Sequence, residues 1–154
     1  MRKITSFCVD HTRLKEGMYI SRIDGDCITY DLRTCRPNTG VIMDNSTIHT
    51  TEHMIATFIR NSDISDDVIY FGPMGCQTGF YLIVRDNITK ERVMDVVKDC
   101  LKKTLAYEGE VFGASEIECG NYINLDLARA KRLCGAYLDI LENNSEILDY
   151  EALK

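Results

Sequence analysis

Ser46-Thr47-Ile48-His49-Thr50-Thr51-Glu52-His53-Met54-Ile55-Ala56-Thr57-Phe58-Ile59-Arg60 is the stretch on which the reading of this chain turns. Ile48, Met54, Ile55, Ala56, Phe58 and Ile59 cover most of a helix circumference. The spacing therefore predicts a helix over 46–60, capped by Asn45 or Ser46 and buried on nearly every side. Into that helix the sequence sets two histidines and a carboxylate. At about 100° per residue, His49 and His53 lie about 40° apart on one face, with Glu52 about 60° to the other side of His49. Two imidazoles at i, i+4 can grip one metal ion, and the adjacent carboxylate can reach a group bound to it. The competing reading is a pair of core histidines satisfied by hydrogen bonds. Burying that much polar surface without a purpose is costly, and this favours the metal.

Working outward, Val93, Val96, Val97, Cys100, Leu101, Thr104 and Leu105 recur at steps of three and four, predicting a helix over 89–107 with Thr89 as its cap. Ala130, Leu133, Cys134, Tyr137, Leu138 and Leu141 do the same over 126–142, and a short fourth helix is expected at 145–153. Residues 18–34 read as a β-hairpin around Asp24-Gly25-Asp26. Val68 to Phe71 and Phe80 to Val84 are two further strands, rich in β-branched and aromatic residues, that flank the turn-like Gly72-Pro73-Met74-Gly75-Cys76-Gln77-Thr78-Gly79. Strands with helices between and after them predict an α+β fold, an antiparallel β-sheet with helices packed on one face. The metal site would then sit on the buried central helix.

The remaining composition narrows the function. With 154 residues, 45% apolar and 27% charged, the chain is expected to form one globular domain over 1–154. Eighteen basic against 24 acidic residues give a net charge of −6, which argues against nucleic acid as a partner. The longest apolar run, Phe80 to Val84, is far short of the roughly 20 residues that span a bilayer, and no apolar stretch follows Arg2 and Lys3 to make a signal peptide. A soluble, cytoplasmic protein without membrane contact is expected. The seven cysteines fit that compartment, because they are odd in number, widely spaced and without a C-x-x-C pair.

A mononuclear catalytic site needs a third protein ligand beside two histidines. His11 is one candidate. Cys119 is another, since Glu118-Cys119-Gly120-Asn121-Tyr122 is a polar loop where a thiolate can be aimed. Cys8, Cys27, Cys35, Cys100 and Cys134 fall in strand or helix patterns and read as small core residues. Cys76 sits in the stiff turn after Pro73, where a nearby cation would make it a usable base or nucleophile. Arg33, at a strand end, is either solvated or binds a hydroxylated or anionic ligand. Residues 49–53 also match the inverted zinc-protease pattern H-x-x-E-H, so a small metallopeptidase is a rival. A groove for an extended peptide is hard to build around a buried helix in so short a chain. A third possibility is a non-catalytic, metal-stabilised binding domain, which requires a fourth protein ligand closing the site.

Five blocks, taken together, carry a resemblance: Ser6 to Leu14, Asp31-Leu32-Arg33-Thr34-Cys35-Arg36-Pro37-Asn38, Thr47 to His53, Gly72 to Tyr81, and Cys119-Gly120-Asn121-Tyr122. In this order, from about residue 6 to 135, they resemble the S-ribosylhomocysteine lyase (LuxS, autoinducer-2 synthesis) family. The resemblance implies His49, His53 and Cys119 as ligands of one divalent metal, Fe(II) with Zn(II) or Co(II) as substitutes. It implies Glu52 and Cys76 as the acid/base pair and Arg33 as an arginine beside the cysteine and the sugar hydroxyls. It further implies a homodimer with active sites at the interface, where Ser6 and His11 reach the partner's substrate. The small-molecule substrate so implied is S-ribosylhomocysteine, cleaved to homocysteine and 4,5-dihydroxy-2,3-pentanedione. Gly72 stands where the family often has Ser, and Leu125 where it often has His; Gly72 bears on how the homocysteine end is held.

Overall fold

The computed structural model describes residues 3–153. Strands β1 (Gly17–Asp24) and β2 (Cys27–Arg33) form the expected hairpin, with Asp24 opposite Cys27 across Gly25-Asp26. Gly25 takes the left-handed φ of 60° that so tight a turn favours. β3 (Val68–Pro73) and β4 (Gly79–Arg85) extend the sheet, β4 pairing antiparallel with both β3 and β2. Three helices follow the predicted spans within two residues: α1 (Asn45–Ile59), α2 (Lys90–Ala106) and α3 (Leu127–Asn143). Thr89 caps α2 as expected, accepting from the Arg92 N–H. No helix among the described residues is long and apolar enough to cross a membrane.

Period-2 alternation decides which sheet face meets the helices. Tyr30, Leu32, Phe80, Leu82 and Val84 point to one side, where they join Ile55, Ile59, Val93, Val97, Cys100, Leu101, Cys134 and Leu141 in the main core. α1 packs against α2, α3 and β3. Every side chain from Ser46 to Ile59 is buried or half-buried, as the sequence pattern requires.

Three expectations change. The cap of α1 is Asp44, whose side chain accepts from the Thr47 N–H at 2.8 Å. Asn45 and Ser46 are drawn instead to neighbouring loops: Asn45 Oδ1 accepts from Gln77, and Ser46 Oγ donates to the Asn124 carbonyl at 2.6 Å. Residues 145–153 form no α-helix. Ile147–Asp149 adds a fifth strand, β5, parallel to β1, and Tyr150–Leu153 is a 3-10 turn. The sheet order β3-β4-β2-β1-β5 is thus antiparallel through four strands only. A nine-residue helix is marginal alone, whereas the open edge of β1 and a small second core of Val9, Leu14, Tyr19, Tyr150 and Leu153 on the other sheet face reward the observed path. Finally, Cys35, Cys100 and Cys134 are core residues, but Cys8 is exposed and Cys27 half-buried. Burial pushes the Cys100 and Cys134 thiols up to about 12, and no cysteine is in a disulfide.

Candidate metal centre and active site

On α1 the rings of His49 and His53 meet edge to face, 4.6 Å between centroids. Each ring is oriented from behind. His49 Nδ1 lies 2.6 Å from Asn124 Oδ1, and His53 Nδ1 lies 2.7 Å from the Phe112 carbonyl. Those partners accept hydrogen bonds, so Nδ1 carries the proton and Nε2 keeps its lone pair for a metal. The carbonyl is held by ring packing of Phe112 against Phe58 and Tyr107, at 5.3 and 4.8 Å. Gly113 follows with φ 70°, and a Cβ there would stand 3.3 Å from His53 Nδ1, so glycine serves both turn and clearance.

Between the sequence's candidates for third ligand, the structure selects Cys119. His49, His53 and Cys119 offer ligand atoms within 4.8 Å of one another, all half-buried, and no fourth His, Cys, Asp or Glu joins them among the described residues. Cys119 Sγ is 3.3 Å from His49 Nε2. Two atoms bound about 2.0 and 2.3 Å from one ion at a tetrahedral angle stand roughly 3.5 Å apart, so this donor set fits a single divalent ion. The Asn121 N–H donates to the sulfur, 3.4 Å away. His11 binds elsewhere, its Nδ1 3.0 Å from the Val9 carbonyl. Glu52 adjoins the trio on α1, half-buried, and makes no hydrogen bond or ion pair with a described residue.

The second reactive group sits on the β3–β4 turn. This turn is lashed to the sheet by the N–H groups of Thr34 and Cys35, which both donate to the Thr78 carbonyl. Gly79 permits the approach, since a Cβ there would lie 2.6 Å from the Leu32 carbonyl. Gln77 ties the turn to the start of α1 through Asn45, and a cleft lined by Asn45, Ile48, Pro73, Met74 and Gly75 opens between them. The cleft thus lies between the first turns of α1 and the turn that carries Cys76.

Cys76 is exposed, 3.1 Å from Thr78 Oγ1 and 3.7 Å from Arg33 Nη1. Partial burial pushes its thiol up, but the Thr78 hydroxyl and N–H together with the Arg33 charge outweigh this and hold it below the ordinary cysteine value. Arg33 is only 2% exposed and sits behind the thiol. Its Nη1 donates to Thr78 Oγ1 at 2.6 Å, and its Nη2 to Asp31 Oδ2 at 2.5 Å. Tyr150, from the C-terminal turn, hydrogen-bonds both Asp31 and Arg33.

Ser6, half-buried in a 3-10 turn at Thr5–Phe7, lines a groove on the sheet's outer face with Arg22, Tyr70 and Tyr81. Neither Ser6 nor His11 joins the trio. Sequence reasoning missed Asn124, the Phe112 carbonyl, Thr78, Asp31 and Tyr150. Thr78 and Asp31 lay within the quoted blocks, whereas Asn124 and Tyr150 gave no local signal.

A family model described as S-ribosylhomocysteinase (LuxS) matches residues 4–147. The S-ribosylhomocysteine lyase of Finegoldia magna is 42% identical over 147 residues, covering 93% of this chain and 94% of that protein. Its counterpart from Desulfotalea psychrophila is 43% identical over 152 residues, covering 95% and 96%. That from Borreliella burgdorferi is 42% identical over 151 residues, with the same coverage. These likenesses span the helix with its two histidines, the Cys76 turn and the Cys119 loop alike, and the chain belongs to the S-ribosylhomocysteine lyase (LuxS) family.

Proposed function

We infer that this chain is a carbon–sulfur lyase that cleaves the thioether of S-ribosylhomocysteine to homocysteine and 4,5-dihydroxy-2,3-pentanedione, the autoinducer-2 precursor. The observation that carries this reading is the three-ligand His49–His53–Cys119 group, with Glu52 beside it on α1 and Cys76 on a turn that Gln77 ties to the start of the same helix. The cleavage involves no net redox change. The sugar carbonyl moves along the chain by two aldose–ketose shifts, until it acidifies the carbon next to the C–S bond and β-elimination expels homocysteine as its thiol.

An ion held by the trio, Fe(II) with Zn(II) or Co(II) able to substitute, supplies the Lewis acidity that makes the carbon-bound protons removable. Glu52, without a partner among the described residues, takes and returns protons from the side of α1. Cys76, whose thiol Thr78 and Arg33 hold below the ordinary cysteine value, does so from the β3–β4 turn. Cys119, as a soft thiolate ligand, would lower the net positive charge of an ion held there and so temper its Lewis acidity. A three-ligand group supports this reading over a closed structural site.

The reading includes a homodimer with Ser6 and His11 serving the neighbouring copy. Ile4 and Phe7, 56% and 71% exposed on either side of Ser6, support such a contact. It also includes a cytoplasmic location, where seven thiols stay reduced.

Free thiol released from S-ribosylhomocysteine by anaerobically purified, Fe(II)- or Co(II)-loaded protein tests the function. Release is expected for the native chain, and a fall of at least about 100-fold is expected in Glu52→Gln, with fold and metal content unchanged. Turnover retained in Glu52→Gln would remove that residue from proton transfer. No release from the metal-loaded native protein would reject the substrate.

A further inference from the structure

The C-terminal turn carries no recognisable motif, yet its Tyr150 is one of the most buried side chains in the molecule, 2% exposed. Its ring packs in the second core with Tyr19 and Leu153, and the segment is tied down by β5 pairing to β1 and by the Asp10 N–H donating to the Leu153 carbonyl. From that seat its hydroxyl donates to Asp31 Oδ2 and accepts from Arg33 Nη2. Asp31 is fully buried, and among the described residues its Oδ1 has no partner, nor has Arg33 Nε. Among the described residues, Oδ2 rests on two donors, Arg33 and Tyr150. The other edge of the same guanidinium is on Thr78 and Cys76.

We propose that Tyr150 is a positioning residue of the Cys76 site: its hydroxyl shares the buried Asp31 carboxylate with Arg33 and so keeps the guanidinium's far edge on Thr78 and the thiol. The inference rests on the reading of Cys76 as a proton-transfer group, and it deepens that reading by making the C-terminal turn part of the site. Without the hydroxyl, Asp31 has Arg33 alone. The carboxylate then draws the guanidinium toward itself and offsets more of its field at the sulfur. The remaining titratable groups facing this network are His11 from the N-terminal segment, Tyr19 on β1, Cys35 just after β2, Tyr81 on β4 and Tyr137 on α3. All are present in both variants compared below, so they do not distinguish them.

The test is the pH dependence of Cys76 alkylation by iodoacetamide in metal-loaded protein, read by mass spectrometry on the Cys76 peptide alone. Cys76 is held low, so its alkylation is half-complete below the pH of an ordinary thiol. Tyr150→Phe is expected to raise that midpoint by about half a pH unit or more, a roughly threefold loss of thiolate below the midpoint. Asp31→Asn is expected to lower it, because the arginine charge is then unopposed. A general loosening of the tail would move both variants the same way. A folded Tyr150→Phe with the native midpoint overturns the proposal. Should Tyr150→Phe fail to fold, a midpoint in Asp31→Asn that stays or rises overturns it equally. Because alkylation requires no turnover, the result stands apart from whether S-ribosylhomocysteine is the substrate.

Discussion

His49 and His53 each commit one ring nitrogen to a fixed acceptor, and that commitment leaves the other nitrogen of each ring free to hold a metal. Asn124→Leu removes the acceptor behind His49. It is expected to weaken metal binding by about 10- to 100-fold, measured by competition with a chromophoric chelator, while the circular dichroism spectrum stays native. Asn124→Asp keeps an acceptor and is expected to bind at least as tightly as the native chain. Native affinity in Asn124→Leu would mean that packing alone orients the ring. The pair itself was legible, because residues at i, i+4 on one helix face need no tertiary knowledge to be placed together. Asn124 was not, since it lies 75 positions away and only the folding of its loop onto α1 brings it there. Thr78 was in plain view beside Cys76, but its place between the thiol and Arg33 follows from strand pairing rather than from spacing.

Among the elements, α1 is the one to which both halves of the site are fastened, and its first turn does the fastening. Asp44 caps the helix, Asn45 holds the Cys76 turn through Gln77, and Ser46 holds the Asn124 loop. Asp44→Ala removes the cap, at a cost of about 1 kcal/mol. The Asp44–Arg129 ion pair is half-exposed on both sides and adds little to that. A melting temperature lower by about 2–4 °C is expected for a chain of this length, with metal affinity nearly unchanged. A large loss of metal with the same small change in melting would show that the cap aims the site as well as stabilising it. The core spans of the helices and the first four strands were readable from periods of 3.6 and 2. The cap was missed because four polar residues in a row all suit that position and only backbone geometry chooses among them. The tail was misread for a different reason: Ile147 and Leu148 fit a short helix or a short strand equally, and the free edge of β1 makes the choice.

For the molecule as a whole, the proposed assembly predicts that one copy does not suffice. Ser6 lines a groove on the outer sheet face and His11 binds its own segment, so neither joins the His49–His53–Cys119 trio. If Ser6 and His11 serve the neighbouring copy, His11→Ala and Cys76→Ala are each inactive alone, yet complement one another. In a mixed dimer, the subunit that keeps Cys76 receives an intact His11 from its partner and is active. The other subunit lacks both. Random exchange makes half of the dimers mixed, each with one working site of two, so about a quarter of native thiol release should return. Phe7→Asp, which puts a charge on the exposed ring beside Ser6, is expected to shift the protein toward monomer in sedimentation and to lower activity in step. If tagged and untagged subunits exchange but no activity returns, Ser6 and His11 act within their own subunit or not at all. The dimer would then be an assembly of independent sites rather than a condition for catalysis.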